Sequence, residues 1–376
     1  MHLLDTAERH LPLDELDKHQ TLSEKVSYMH SVIRHNFAAI DRIAIAKYDP
    51  SSDALRTYIA SMDGENPLAL HEAKLSDVPS LLSLVKTRET RVINNLDVLS
   101  DRTSSHSRKL LDNGFRSSYT VPLFHEDQFI GVLFFNSYNA DAFDSSNLTY
   151  LDLLAQLLLI LLTAELNQIA TLRGAVKTAT QFTGHRDPET GMHLERMAHY
   201  SRLIASEIAP NYGVGDEFID DIFRYAPLHD VGKITISDAI LLKRGSLTHD
   251  EREEMKRHTT AGRKIIDAML QNFKFGNIKN LSMIYNIVTH HHEQTDGNGY
   301  PDGLAGDAIP LEARIVAVAD VFDALTSERP YKQAWSNDRA YVELQRLAQS
   351  KLDADCVAAL IRCPAKVIEI QSKFGD

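Results

Sequence analysis

Cysteine is scarce in this chain: Cys356 and Cys363 are the only two among 376 residues. They stand two turns apart along an expected helix, beyond the reach of a disulfide within one helix. We read them as reduced core thiols of a cytoplasmic protein, which excludes a disulfide scaffold. A long hydrophobic run is also missing. The most apolar stretch, Leu151 to Ala164, contains Asp152 and Gln156 and is too short to span a bilayer. A packed helix is expected there, and no membrane partner. Met1-His2-Leu3-Leu4-Asp5 lacks the basic stretch and apolar core of a signal peptide. Positive charge is in deficit, with a net charge of -12. That excludes a broad basic surface for DNA, although a few local Lys and Arg can hold the phosphates of a small anion. What is present is ordinary globular composition, 43% hydrophobic and 24% charged, in a chain long enough for two domains.

After an N-terminal extension, residues 1–19, the segment 20–165 mixes helix and strand patterns. Leu22, Val26, Met29, Ile33 and Phe37 recur at helical spacing. Strands are expected from Arg42 to Tyr48 and around Leu55 to Met62, joined by Asp49-Pro50-Ser51-Ser52-Asp53. Tyr119–Phe124 and Phe129–Asn136 flank a polar turn, as in a hairpin. A helix from Leu151 to Leu166 closes the segment. Between Leu148 and Ala209 the only candidate break is Gly184–Gly191, so a connecting helix over 148–180 overlaps the end of the first domain. Its stripe Leu151, Leu154, Leu158, Leu161 and Leu162 suits either pairing with a second copy in a homodimer or packing on its own domain. Beyond Gly191 no strong strand pattern occurs, and the segment 175–376 reads as all-helical.

The chemistry lies where helices carry His, Asp or Glu in place of apolar residues, since a buried charge without a partner is costly. The helix around Glu312–Thr326 is apolar on nearly every face, yet Asp320 and Asp323 interrupt it on one side, as metal ligands or a buried salt bridge. His229-Asp230-Val231-Gly232-Lys233 follows an apolar lead-in. On a helix, such neighbours can bind one metal together or reach two. Thr248-His249-Asp250-Glu251 is a capping box that opens a helix whose inner face includes Met255, His258 and Gly262; His258 there is a ligand or a satisfied core residue. His290-His291-His292-Glu293 precedes the turn-rich loop Asp296 to Gly303. Glu189 and His193 stand one helical turn apart, as ligands or as a helix-start carboxylate and a surface imidazole. Together these segments supply imidazole and carboxylate without sulfur. Such a donor set points to iron or manganese, with zinc less favoured, at a site for two or more ions.

These elements, in this order, resemble the HD-GYP family, a branch of the HD phosphohydrolases that hydrolyse cyclic di-GMP. The naming features stand as His229-Asp230 and Gly299-Tyr300-Pro301; His291-His292-Glu293, Asp296-Gly297 and Arg329-Pro330-Tyr331-Lys332 match too. The first domain resembles a GAF sensor through Arg116 to Leu123, Ile130 to Phe134 and Ala142-Phe143-Asp144. The resemblance implies an α+β sensor domain joined by a long helix to an all-α HD bundle. It makes His229, Asp230, His258, His291, His292 and Asp320 metal ligands, with Glu189 and His193 adding a third ion. Asp230 and Lys233 take catalytic roles, and Lys233, Arg329 and Lys332 contact substrate phosphates. His290 is left unassigned, and the segment Gln271–Leu281 looks longer than usual. The implied activity is hydrolysis of cyclic di-GMP to linear pGpG, with cleavage on to GMP left open as a second step, in bacterial second-messenger signalling. Cyclic GMP-AMP is the alternative substrate, and a non-catalytic cyclic dinucleotide receptor the alternative class. An unidentified small ligand or partner is expected at the sensor domain.

Overall fold

The computed structural model describes residues 21–50, 52–99, 105–182, 191–243, 245–273, 280–328 and 333–375, with Leu16, Lys18 and His19. The chain divides into two compact units, residues 1–166 and 167–376.

The first unit is a six-stranded antiparallel sheet in the order β3-β2-β1-β6-β5-β4. The strands are β1 (Arg42–Asp49), β2 (Ala54–Met62), β3 (Glu72–Lys74), β4 (Arg91–Ile93), β5 (Ser117–His125) and β6 (Gln128–Ser137). Period-two alternation sorts the side chains onto two faces. Ile43, Ile45, Leu133 and Phe135 join Val26 and Met29 of α1 (Leu22–Asn36) and Leu151, Leu158 and Leu162 of α4 (Ser145–Phe182). Val132 and Phe134 point the other way, towards Leu81 and Leu84 of α2 (Pro79–Thr87). Each such side chain contributes roughly 1.5–3 kcal/mol when fully buried. The expected first helix, both long strands and the hairpin are all found; its turn is Glu126-Asp127, both at positive φ. The short strands β3 and β4, with α2 and α3 (Ser105–Asp112), were not read from the sequence.

Of the two expected readings of the connecting helix, the structure shows packing on its own domain. α4 runs for 38 residues, and its Ser145–Gln168 part is long and apolar enough to cross a bilayer by length and composition. Yet Leu151, Leu154, Leu158 and Leu162, one candidate seam for a homodimer, are spent on the sheet of their own unit. The face left exposed carries Tyr150, Leu153 and Ile160, each at least 60% exposed.

The second unit is helical, as expected: α5 (Gly191–Tyr212), α6 (Asp216–Tyr225), α7 (Asp238–Leu241), α8 (His249–Lys256), α9 (His258–Phe273), α10 (Leu281–His290), α11 (Leu311–Thr326), α12 (Asn337–Leu347), α13 (Ala354–Ile361) and α14 (Pro364–Lys373). Its core gathers Met197, Tyr200 and Ile204 of α5, Ile284 and Ile287 of α10, and Ile315, Val318 and Phe322 of α11. Cys356 is buried in it, and both cysteines are free thiols. Most of the expected break before α5 lies on residues 183–190, outside the described residues.

Candidate metal centre

His229 and Asp230 do not stand on a regular α-helix. They lie between two 3-10 turns, Ala226–Leu228 and Val231–Thr235. Pro227, which has no N–H to extend the hydrogen-bond ladder, follows directly on α6 and favours the tighter turn. The second turn presses onto the start of α9. A Cβ on Gly232 would fall 1.8 Å from the His258 carbonyl oxygen, and the Gly232 nitrogen lies close to Gly262. Only glycine permits that approach, and it brings Asp230 to His258. α8, with the expected Thr248 capping box, ends at Lys256, so His258 opens a separate helix and is not an interior residue of the first.

The imidazoles are held in one tautomer. His229, His258 and His291 place Nδ1 at 2.9, 2.7 and 2.8 Å from the carbonyl oxygens of Ala226, Met255 and Ile287. A carbonyl only accepts, so each Nδ1 donates and each Nε2 is left for other partners. His258 Nε2 and His291 Nε2 face each other at 3.5 Å. Asp230 adds its charge: Oδ1 lies 3.3 Å from His258 Nε2, and Oδ2 lies 3.2 Å from His229 Nε2. Lys233 Nζ is 2.6 Å from Asp230 Oδ2.

Two groups of donors result. Asp230, His258, His291 and His292 form one, and His193, His229 and Asp320 the other, with ligand atoms in each within 4.8 Å of one another. Converging lone pairs and carboxylates, with almost no protons to share, fit divalent cations and fit little else. Burial pushes the His258 pKa down to about 4 against the pull of Asp230, and burial with neighbouring His291 holds His292 well below the usual imidazole value. Burial would raise the Asp230 pKa, but Lys233 and His229 outweigh it and hold the carboxylate well below its ordinary range. His258 and His292 are thus held neutral and Asp230 ionised, the forms a metal takes.

Asp323 realises the other reading of the α11 pair. Its carboxylate accepts from His193 Nδ1 at 2.7 Å and Arg196 Nε at 2.6 Å, which frees His193 Nε2 for the cluster side. Glu293 is a loop staple: its carboxylate accepts from the backbone N–H groups of Asp302, Gly303 and Leu304. Gly299 packs so closely on Glu293 that a Cβ would sit 2.4 Å from its Cα, and Tyr300 stands with its ring 4.9 Å from that of His292. His290 points elsewhere, to Asp302. Sequence reasoning singled out the ligand candidates and offered a buried salt bridge for the α11 pair, but missed the supporting roles of Glu293 and Gly299, for which the glycines of the loop Asp296 to Gly303 were the one hint. Glu189, Arg329 and Lys332 lie outside the described residues, as do residues 274–279 of the long segment before the histidines.

A helical bundle holding imidazoles and carboxylates around one centre has the build of a metal-dependent hydrolase domain. Residues 188–356 match the HD domain family, and residues 20–163 match the GAF domain family. The chain therefore joins a GAF domain to an HD domain, as the resemblances read from its sequence implied. It is similar to the cyclic di-GMP phosphodiesterase response regulator RpfG of Xanthomonas campestris pv. campestris, 46% identical over 51% of this chain and 48% of that protein. A cyclic di-GMP phosphodiesterase of Thermotoga maritima is 39% identical over 51% of this chain and 49% of its own. The 3'3'-cGAMP-specific phosphodiesterase 2 of Vibrio cholerae is 35% identical over 51% and 34%. The chain thus spans about half the length, or less, of these curated relatives.

Proposed function

We propose that the protein is a cyclic dinucleotide phosphodiesterase that opens cyclic di-GMP to linear pGpG under control of its GAF domain. The observation that carries this reading is the pair of adjoining donor groups, with Asp230 lying between them. We assign His229, Asp230, His258, His291, His292 and Asp320 as ligands of two ions, with His193 and Glu189 serving a third. The donor chemistry favours Fe or Mn. When bound, such ions supply a water-derived nucleophile at neutral pH and charge for the phosphoryl oxygens.

The chain's own residues do the rest. Asp230, ionised at any working pH, ties the two groups together. Lys233, partly exposed beside Asp230, faces the place where negative charge grows as the 3′-oxygen departs, and stabilises it electrostatically. Backbone carbonyls fix the ring planes, so little reorganisation accompanies the reaction. Arg329 and Lys332 bind the substrate phosphates. In domain terms, residues 20–165 sense a small ligand, the helix over 148–180 transmits, and residues 175–376 act. The active form is a cytoplasmic homodimer, paired through the exposed face of α4.

Cyclic GMP-AMP is a second reading, favoured by the similarity to a cGAMP-specific relative. A receptor without catalysis fits poorly with so full a set of donors. The test is anaerobic purification with iron or manganese, followed by chromatography of cyclic di-GMP and 3′3′-cGAMP beside Asp230→Ala. Turnover lost in the variant supports the enzyme. Binding without turnover under several metals overturns it in favour of a receptor.

A further inference from the structure

The sensor sheet contains a charge that its own fold leaves unbalanced. Arg42, at the start of β1, is 1% exposed. Its Nε donates to Asn66 Oδ1 at 3.1 Å and its Nη1 to Asn136 Oδ1 at 2.8 Å. Both acceptors are neutral amides. Asn136 Nδ2 is engaged by Ser118 Oγ, which fixes the oxygen towards the arginine. Nη2 meets no acceptor among the described residues, and no carboxylate pairs with the group. A guanidinium stays charged in a protein, so burying one against neutral dipoles alone is costly. Desolvation without an acid partner pulls its pKa down to about 10.

Arg42 also lines a small cleft that opens to solvent. Ala44, Ala46 and Ala73 are among its lining residues, small side chains that leave room for it. Leu55, Val78, Leu81 and Phe134 make its walls apolar. Its other ionisable group is His71, and Lys109 Nζ stands 3.4 Å from His71 Nδ1. Burial, Lys109 and Arg42 all press that imidazole towards its neutral form, while only the coulombic pull of Glu72 opposes them. The interior is thus apolar with a positive end.

We infer that this cleft binds a small monocarboxylate with a short apolar tail, its carboxylate paired with Arg42 and its tail against the leucine and phenylalanine wall. A carboxylate supplies the planar two-oxygen acceptor that the guanidinium fork lacks. The inference stands apart from the hydrolase reading, because it concerns the GAF domain alone.

Calorimetric titration of the metal-loaded full chain with formate, acetate, propionate and butyrate, and with nitrate as a planar anion without a tail, tests it. A saturable isotherm tighter than about 1 mM for one of the acids is expected. Arg42→Gln should weaken it at least tenfold. So should Ala73→Leu, which fills the cleft and leaves Arg42 in place; this second variant keeps the test decisive if the first does not fold. Nitrate binding as tightly as the best acid overturns the carboxylate assignment. No saturable binding by any acid, or binding unchanged in the variants, overturns the site.

Discussion

His193, His229, His258 and His291 each commit Nδ1 to a fixed acceptor, three to carbonyls and His193 to the Asp323 carboxylate. That shared habit aims the opposite ring nitrogens, and under the proposed function it makes Asp323 a positioning residue for His193. Asp323→Asn should lower metal affinity by about 10–100-fold, the usual cost of losing a partner that orients a ligand. Competition with a chelator measures it; affinity within twofold of the parent would falsify the role. The depressed imidazole gives a pH signature. His258 titrates near 4 when folded, against 6.5 as the ordinary value. Between those values the unfolded chain binds the proton and the folded one does not. The stability of metal-stripped protein is therefore full above pH 6.5 and falls as pH drops towards 4. Denaturant midpoints measured across that window would be flat if the site were not buried and neutral. At this scale the sequence was readily legible, because His and Asp are conspicuous among apolar neighbours. Their roles were less so: Asp320 and Asp323 look alike in sequence, and His193 and Arg196, reaching across from α5, separate ligand candidate from support.

Among the elements, the tight turn carrying His229 and Asp230 depends on contact with α9. Gly232→Ala places a methyl group inside the His258 carbonyl, where backbone and not a flexible side chain must give way. We expect a loss of about 1–3 kcal/mol, typical of overpacking, together with weakened metal binding. Chemical denaturation and elemental analysis of the same preparation check both; a stable, fully loaded variant would contradict the close packing. The loop after α10 depends in the same way on Glu293, three of whose hydrogen bonds run to backbone N–H groups. Glu293→Ala should loosen Tyr300 and reduce turnover more than metal content, a split that kinetics beside metal analysis resolves. Helices and long strands were legible from periodicity. The break at Arg257 and the 3-10 turns were not, since each is imposed by a neighbour that sequence spacing does not name.

For the whole molecule, the stripe Tyr150, Leu153 and Ile160 stays largely exposed, although the Tyr150 ring meets that of Phe37. The residues follow near-heptad spacing, which suits a parallel pairing of two copies of α4. Leu153→Glu with Ile160→Glu should shift the sedimenting species from dimer to monomer, or raise the dimer dissociation constant at least about tenfold, some 1.4 kcal/mol. A parent chain that sediments as a monomer at all concentrations would remove the dimer from the reading. The pairing seam could not be chosen from sequence, because α4 is apolar around much of its circumference; the sheet claimed one stripe and left the other.

Composition, strand alternation and the placing of His and Asp on helices were settled by the sequence alone: two domains, one α+β and one helical, and a sulfur-free set of donors. Which of those donors meet, which carboxylate supports instead of converging, and where Arg42 is left facing a cleft were decided by tertiary packing. The reason is physical. Periodicity reports only which side of an element is apolar, whereas a metal centre or a ligand cleft is made by the distances between elements, and those follow from close contacts such as Gly232 against His258.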